Sequence, residues 1–353
     1  MLYTRRDLGK MALVSAPLAA AFGAKINSKI DGVRLGAITY TFRSIERPDP
    51  MAIIKAYVDV GLGECELTSD HCELLAGAPV PPPAGGAGMV VRTAGGVPMV
   101  GAPEYTPGQA PNAPGGGQGR GAGGGGRTAA TPEQQAARAE AQAKLAAWRK
   151  ATTPATWKGV AKKFNDAGVT VALLGYNMND RMTDEDIEYG FGMAEGFGVK
   201  YMTTSTTLTM AKRIAPVADR HKLIVGYHGH DRTDDPNQTA RMESYETLLA
   251  YGKYAWINLD IGHFTAANYD AVDFITKHHD KITNLHIKDR KKNHGPNMFP
   301  WGTGDTPIKA VLQLMKKNKY PFPADMELES FPPGTDVVEL AKQCFAYMKN
   351  CLA

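Results

Sequence analysis

Side chains that bind metal ions and move protons recur in this chain, each time after a short apolar stretch. In the segment 258–264, NLDIGHF, an aspartate, a glycine and a histidine follow the apolar run AWINL. Similar segments are YHGHD at 227–231, HIKD at 286–289 and MELE at 326–329. The residues that these segments supply are His228, His230, Asp260, His263, His286, Lys288, Glu327 and Glu329.

A mixed set of imidazole and carboxylate ligands suits a divalent ion such as Mn, Co, Zn or Mg. His228, Asp260, His286 and Glu329 form such a set, and the intervals between them are near one strand–helix unit, roughly 30 residues. Singly, each has an ordinary alternative, because an aspartate after a strand can cap the next helix and a strand histidine can belong to the core. Together they predict a metal site.

Eight short stretches that are apolar and rich in β-branched or aromatic residues predict strands. They are 33–40, 63–67, 169–176, 199–204, 222–227, 255–260, 282–287 and 323–329. Helix-like segments follow them, at 50–60, 154–167, 183–197, 208–221, 244–252, 269–279, 306–318 and 336–349. Strand then helix, repeated eight times, predicts an α/β fold, the (β/α)8 TIM barrel, with catalytic groups at the carboxyl ends of the strands. An open doubly wound sheet is less favoured, because no G-x-G-x-x-G motif follows the first strand.

Two segments depart from this alternation. Residues 1–25 carry paired arginines, an apolar stretch too short to span a bilayer and small residues near its end, which is typical of a twin-arginine signal peptide. We therefore expect a periplasmic or secreted protein with no membrane anchor after signal cleavage. Residues 77–131 are mostly Gly, Pro and Ala and predict a low-complexity insertion in the second βα loop, for which a lid and an inert spacer are both open. The insertion falls within a TIM-barrel catalytic domain at 33–353.

Composition narrows the classes of partner. The formal net charge of +4 over 353 residues is small, and no basic stripe interleaved with aromatic residues is present, which argues against nucleic-acid binding. Four cysteines, Cys65, Cys72, Cys344 and Cys351, lack zinc-motif spacing and could form two local disulfides or stay as buried thiols. The oligomeric state is left open.

These segments resemble the sugar phosphate isomerase/epimerase superfamily, the xylose isomerase-like TIM barrels, which also include inosose dehydratase and endonuclease IV. The stretches GECEL, VGYHGHD, NLDIGHF, NLHIKDR and ELESF carry the resemblance. In the ketose epimerases, four consecutive strands give Glu, Asp, His and Glu to one divalent metal, and a His three residues after the Asp touches the sugar. The resemblance implies that Asp260, His286 and Glu329 are metal ligands and that His263 contacts a small-molecule carbohydrate substrate.

The first ligand position departs from that pattern. The epimerases have Glu there, whereas this chain has His228 or His230, which lie on the same face of a strand. His228 is favoured as the ligand, which leaves His230 as a catalytic candidate. Because the first and last Glu of the epimerases exchange the substrate proton, one of those two carboxylates is absent here.

Other residues near the predicted site have candidate roles. Lys288 lies two residues after His286, so it could be a catalytic base or stabilise an enolate, or it could only cross the rim to solvent. Glu66, Arg290 and Trp301 are candidate substrate-binding residues.

Together these observations predict a metal-dependent sugar isomerase or epimerase. A proton would be abstracted from the carbon next to a carbonyl, with Glu329 as base and a histidine or Lys288 as acid, while the metal stabilises the enediolate. One alternative is a β-eliminating lyase on 3-keto glycosides, since elimination needs only one carbon base. Another is a non-catalytic periplasmic sugar-binding barrel.

Overall fold

Residues 24–45, 49–79 and 131–353 are described by the computed structural model. The predicted signal peptide at 1–25 lies almost wholly outside these residues, as does the predicted insertion at 77–131 except at its two ends. The expectations about export and about the insertion therefore stay predictions.

Eight parallel strands close into a barrel, which confirms the predicted fold class. A short strand, β1 (Lys29–Ile30), pairs antiparallel with the first barrel strand. The barrel strands are β2 (Val33–Ile38), β3 (Glu64–Thr68), β4 (Thr170–Gly175), β5 (Tyr201–Ser205), β6 (Ile224–His228), β7 (Ala255–Asp260), β8 (Ile282–Ile287) and β9 (Ala324–Met326). Each pairs with the next in chain order, and β9 pairs with β2 to complete the ring.

Helices follow the strands and cover the outside of the barrel. Those described are α1 (Met51–Val60), α2 (Ser69–Leu75), α3 (Pro132–Ala151), α4 (Pro154–Asp166), α5 (Asp184–Phe197), α6 (Leu208–His221), α7 (Met242–Leu249), α8 (Ile261–Ala266), α9 (Ala271–His278), α10 (Ile308–Asn318) and α11 (Val337–Leu352). None of these described helices is long and apolar enough to cross a membrane.

The outward face of the strands and the inward face of the helices form the apolar core. Leu35, Leu67 and Ile257 on the strands are fully buried, as are Phe164 and Phe191 on α4 and α5. Each such side chain contributes about 1.5–3 kcal/mol of hydrophobic free energy on burial. All four cysteines are buried free thiols, so no disulfide contributes.

Helix α3 lies at the edge of this core: all of its residues are exposed or only partly buried, and Trp148 packs against Trp157 of α4 with ring centroids 6.1 Å apart. It starts with a capping box, in which the Thr131 hydroxyl accepts from the Gln134 amide and the Gln134 side chain accepts from the Thr131 amide. Near its end Arg149 forms a two-pronged ion pair with Glu73 of α2, at 2.8 and 3.0 Å. This pair connects the helix after the insertion to the barrel.

Candidate active site

The inside of the barrel holds polar side chains where many barrels hold branched apolar ones. Asn258 and Asn284 are register partners on β7 and β8, and the side-chain Nδ2 of Asn258 donates to the side-chain Oδ1 of Asn284 at 2.5 Å. The Asn284 amide donates in turn to Glu66 Oε2 at 2.7 Å and to Asp325 Oδ2 at 2.9 Å. The Thr203 hydroxyl donates to the other oxygen of Glu66. This network forms a hydrogen-bonded floor.

Four metal-ligating side chains meet above this floor, and each comes from the end of a different strand. His228 ends β6, Asp260 ends β7, His286 lies on β8 and Glu327 follows β9. One ligand atom of each lies within 4.8 Å of those of the other three, and all four residues are buried. We call these four residues the acid–imidazole group.

The floor fixes which nitrogen of each imidazole faces the group. His228 Nδ1 lies 2.6 Å from Asn258 Oδ1, so Nε2 is the nitrogen left for a ligand. His286 is turned the other way, because its Nε2 lies 2.6 Å from Glu66 Oε2 and its Nδ1 lies 2.8 Å from Glu327 Oε2. A carboxylate or carbonyl behind a histidine is the usual way in which a metal-binding imidazole is oriented.

Burial and charge set the protonation of this group. Burial lowers the pKa of His228, and the neighbouring His286 lowers it further, so His228 is a neutral imidazole. Burial also opposes the charged form of His286, but Glu66 and Glu327 outweigh it and hold the pKa of His286 well above its usual value. Burial also opposes the ionised forms of Asp260 and Glu327 and is the largest single influence, yet Lys288 and the neighbouring histidines together outweigh it, and the pKa of each carboxyl is lowered.

The Lys288 ammonium stands at the edge of the group, and its side chain is 2% exposed. Its Nζ lies 2.8 Å from Asp260 Oδ2, 2.9 Å from Glu327 Oε2 and 2.7 Å from Glu329 Oε2. Burial works against its charge, but the three carboxylates outweigh burial and raise its pKa well above the usual value. Lys288 is therefore an ammonium ion and not a free base.

A second layer of polar residues stands nearer the mouth. Arg290 Nη1 donates to His263 Nδ1 at 2.6 Å and pairs with Asp231 Oδ1 at 2.9 Å. His263 Nε2 faces Glu329 Oε2 at 3.6 Å. His230 packs beside His263, with ring centroids 5.2 Å apart, and burial holds the pKa of His230 well below its usual value. A neutral imidazole and a carboxylate thus stand close together next to the acid–imidazole group.

Three buried atoms of the acid–imidazole group lack a well-directed hydrogen bond. They are Asp260 Oδ2, His286 Nδ1 and Glu327 Oε2. Their close partners are charged: His286 Nδ1 and Glu327 Oε2 lie 2.8 Å apart, and Lys288 Nζ lies 2.8 Å from Asp260 Oδ2 and 2.9 Å from Glu327 Oε2. Buried polar atoms are rarely left without a hydrogen bond, and the convergence of one such atom from each of two carboxylates and one imidazole fits the ligand set of a divalent cation, which would take the place of the proton on His286. The residues present therefore suit the predicted metal.

The structure places three predicted site residues outside the acid–imidazole group. Glu329, predicted as the last metal ligand, stands beside the group with its Oε2 2.7 Å from Lys288 Nζ, and the carboxylate of this segment that lies within the group is that of Glu327. Trp301 was a candidate for binding substrate, but its contact in the described chain is with Tyr347 of α11, ring centroids 6.5 Å apart. Glu66 lies in the floor behind His286, below the ligand atoms.

The other predicted residues come together with Glu329 at the carboxyl end of the barrel, namely His228, His230, Asp260, His263, His286, Lys288 and Arg290. Sequence reasoning missed Asn258, Asn284 and Asp325 in the floor, and Asp231 at the mouth. The alternation of strand residues offered a signal for the floor, because Asn258 precedes Asp260 by two residues and Asn284 precedes His286 by two.

A glycine is needed at position 262 because another chain segment passes close by, and not because a turn needs special backbone angles there. Gly262 lies in helix α8 with ordinary helical backbone and not in the left-handed region. A Cβ at this position would overlap Lys288 Cγ and lie 2.9 Å from the Lys288 carbonyl oxygen. The glycine is therefore the space through which the Lys288 stem passes.

Comparisons with known proteins agree with this architecture. Residues 205–351 match the profile of the xylose isomerase-like TIM barrel family, a range that includes the whole acid–imidazole group. No curated protein matches the chain. A solved sugar phosphate isomerase/epimerase from Parabacteroides distasonis is 13% identical, with a TM-score of 0.52 over 93% of this chain and 97% of that one.

Two further solved structures share the fold at low identity. The 3-keto-D-glucoside 4-epimerase YcjR from E. coli is 10% identical, with a TM-score of 0.53 over 90% of this chain and 100% of that one. The IOLI protein, solved with a zinc atom, is 12% identical, with a TM-score of 0.52 over 91% of this chain and 98% of that one.

Proposed function

We propose that this xylose isomerase-like TIM barrel is a metal-dependent enzyme that isomerises or epimerises a carbohydrate by moving a proton next to a carbonyl. The observation that carries the proposal is the convergence of Asp260 Oδ2, Glu327 Oε2 and His286 Nδ1, three buried atoms without a directed hydrogen bond. His228 completes the ligand set with its Nε2. One divalent ion, Mn, Co, Zn or Mg, is the proposed cofactor.

The ligand set assigned to the ion is His228, Asp260, His286 and Glu327, and Glu329 is thereby free for a different task. When bound, a divalent ion supplies a Lewis acid that polarises the carbonyl next to the reacting carbon. The proposal keeps the predicted metal but replaces Glu329 by Glu327 as its fourth ligand.

Glu329 is the proposed base. Burial is the largest single influence on the pKa of Glu329 and opposes its ionised form, but Lys288 at 2.7 Å and His263 together outweigh burial and lower that pKa, so Glu329 is a carboxylate at neutral pH. His263 and the neutral His230 stand beside it and are positioned to hold substrate hydroxyls or to return a proton on the other side. Arg290 fixes the ring of His263 through Nδ1, which leaves Nε2 directed at Glu329.

The structural relatives favour the same substrate class. They are a sugar phosphate isomerase/epimerase and a 3-keto-D-glucoside 4-epimerase, and the IOLI protein was solved with zinc. A small carbohydrate is therefore the proposed substrate.

A β-eliminating lyase on 3-keto glycosides is the second candidate. The observation that favours it is one proposed carbon base beside imidazoles: Glu329 Oε2 faces His263 Nε2 at 3.6 Å, and the ring of His230 packs beside that of His263. Elimination needs one carbon base and one acid for the leaving group, which a carboxylate and a histidine can supply.

The third candidate function is that of a periplasmic protein that binds sugar without catalysis, and such a protein would not need the acid–imidazole group.

Export by the twin-arginine route is part of the proposal. Its support is the paired arginines and the apolar stretch in residues 1–25. Cleavage would be visible as a mature amino terminus near residue 25 when the protein is isolated from its native compartment.

Metal content and hydrogen exchange test the proposal together. Elemental mass spectrometry on the purified protein is expected to give about one divalent ion per chain, lost in Glu327→Gln and kept in Glu329→Gln. With free sugars and 3-keto glycosides in D2O, the protein is expected to exchange the proton next to the carbonyl, and Glu329→Gln is expected to abolish exchange. Loss of metal in Glu329→Gln with retention in Glu327→Gln would restore Glu329 as the ligand. No metal in any variant, after addition of Mn, Co or Zn, would refute the metal-dependent mechanism.

A further inference from the structure

The Lys288 ammonium contacts the same oxygen atoms that the proposed metal site offers. Asp260 Oδ2 and Glu327 Oε2 lie 2.8 and 2.9 Å from Nζ, and both atoms belong to residues of the acid–imidazole group. Its third carboxylate, Glu329 at 2.7 Å, stands outside that group. One buried cation therefore bridges the proposed ligands and the proposed base.

The position of this ammonium is built into the fold. Gly262 gives the Lys288 stem its path, since any larger side chain would overlap it. The ammonium also approaches His263 Nε2 at 3.3 Å. Its side chain is buried among groups that come from β7, α8, β8 and the segment after β9, so it is not a lysine that reaches past the rim to solvent.

The Lys288 ammonium and a divalent ion would compete for the same oxygen atoms of Asp260 and Glu327. Two like charges at such short range repel each other strongly in a buried site, where water screens them poorly. Without either cation, Asp260 and Glu329 would lose their close cationic partner and Glu327 would keep only His286, which is costly for buried carboxylates. The site therefore needs one cation at all times and is weakened by two.

We propose that Lys288 is a resident counter-cation that neutralises Asp260 and Glu327 when no metal is bound and lowers the affinity of the site for the divalent ion. Binding of the ion displaces the ammonium from these two carboxylates, and Glu329 is the partner that it keeps. The inference rests on the proposed function, because it takes the acid–imidazole group as the metal site. Its consequence is a metal that exchanges readily and a protein that stays folded without it.

The test compares Lys288→Met with Lys291→Met. Methionine keeps the length of the side chain and removes its charge, and Lys291 is a matched control that pairs with the exposed Asp305 at 3.0 Å. Dissociation constants for Mn and Zn are measured by competition with a chelating dye, and thermal midpoints are measured in EDTA and in excess metal. Neither readout depends on enzymatic activity.

Lys288→Met is expected to bind metal at least about tenfold more tightly than wild type, at the lower end of the range for residues that contact metal ligands. Its midpoint is expected to fall in EDTA and to rise on metal addition by more than that of wild type, because a ligand stabilises in proportion to its affinity. Lys291→Met should match wild type in both. Lys288→Gln, which is neutral but can still donate hydrogen bonds, is the second variant in case the methionine form does not fold, and it is expected to show the same tightening.

The outcomes separate this inference from the proposed function. Equal or weaker binding in both Lys288 variants, with one ion bound in wild type, overturns the role of Lys288 and leaves the metal site standing. Binding in the Lys288 variants alone supports the inference and shows that the natural chain uses the lysine instead of a metal, against the proposed function. Binding in none of the proteins overturns both.

Discussion

Glu66 is the residue that tests whether the floor of the barrel controls the site. Its Oε2 accepts from His286 Nε2 at 2.6 Å and from Asn284 Nδ2 at 2.7 Å, and it is 1% exposed. It contacts none of the proposed metal ligands except His286, whose opposite nitrogen faces the group. Glu66→Gln removes one negative charge from behind that imidazole with little change in shape.

Two effects of this change oppose each other. Burial disfavours the ionised form of Glu66, yet His286 lowers its pKa, so a carboxylate is present to hold the proton on His286 that a metal must displace. Removing Glu66 weakens the hold on this proton, but it also weakens the attraction for the ion. The ion carries two charges against the one of the proton, so the loss of attraction for the ion is the larger effect.

We therefore expect Glu66→Gln to weaken metal binding by about 10- to 100-fold, the usual cost of losing a partner behind a metal-binding histidine, or about 1.4–2.8 kcal/mol. Loss of the charged hydrogen bond to His286 is also expected to reduce metal-free stability by about 1–3 kcal/mol. Dye competition measures the first effect and urea unfolding in EDTA measures the second.

Glu64→Gln is the matched control. Glu64 lies two residues earlier on β3, is partly exposed and pairs with Arg34, with Nε–Oε1 at 2.8 Å. The same substitution there is expected to leave metal affinity within about twofold of wild type and to cost at most about 1 kcal/mol of stability. Equal metal affinity in Glu66→Gln and Glu64→Gln would refute the argument that the floor orients and charges His286.

Three further predictions concern residues around the site. Gly262→Ala is expected to lower the free energy of unfolding by about 1–3 kcal/mol, because the added methyl group would overpack against Lys288. Gly192→Ala, at a helical position with open space around it, should not destabilise, and equal urea midpoints for the two variants would contradict the close approach at Gly262. Burial, and after it Glu66, raises the pKa of Asp325 to about 8, above the value of about 3.9 in the unfolded chain, so the protonated carboxyl stabilises the fold fully below about pH 4 and this stabilisation is lost as the pH rises through 8. The free energy of unfolding by urea in EDTA should therefore depend less on pH in Asp325→Asn than in wild type, and an unchanged pH dependence would disprove the argument. Asp289→Ala removes a buried acceptor of two backbone amides, each at 2.8 Å, and is expected to cost about 2–4 kcal/mol in urea unfolding; a loss below about 1 kcal/mol would show that the loop finds other partners.

Much of the fold was predictable, because strand and helix here obey simple periodicities. The predicted strands 255–260 and 282–287 coincide with β7 and β8, and the predicted helix 208–221 coincides with α6. Helix α8 was not predicted, since its six residues are all buried and carry no amphipathic pattern. The hairpin strand β1 was missed because two residues are too short to show any alternation.

Part of the site was predictable for the same reason. Asp260, His286 and His228 end strands or stand near their ends, and parallel strands bring those ends to one place. The choice between Glu327 and Glu329 was not predictable from sequence. Both lie on one face of a continued strand, two residues apart, and only their positions in space separate Glu327, which lies within the acid–imidazole group, from Glu329, which faces Lys288 and His263.

Asp260 caps a helix with one carboxylate oxygen and is a proposed metal ligand through the other, so the two roles do not exclude each other. Its Oδ1 accepts from the His263 amide at 2.7 Å and caps helix α8, as an aspartate after a strand is expected to do. Its Oδ2 has no directed hydrogen bond and faces Lys288 and the acid–imidazole group. Capping holds the carboxylate plane fixed, and that fixed plane is what directs the second oxygen at the site. Asp260→Asn should therefore keep the helix cap while losing the metal, and Asp260→Ala should lose both. If the asparagine variant keeps full metal affinity, Oδ2 is not a ligand, and the cap is the whole function of this residue.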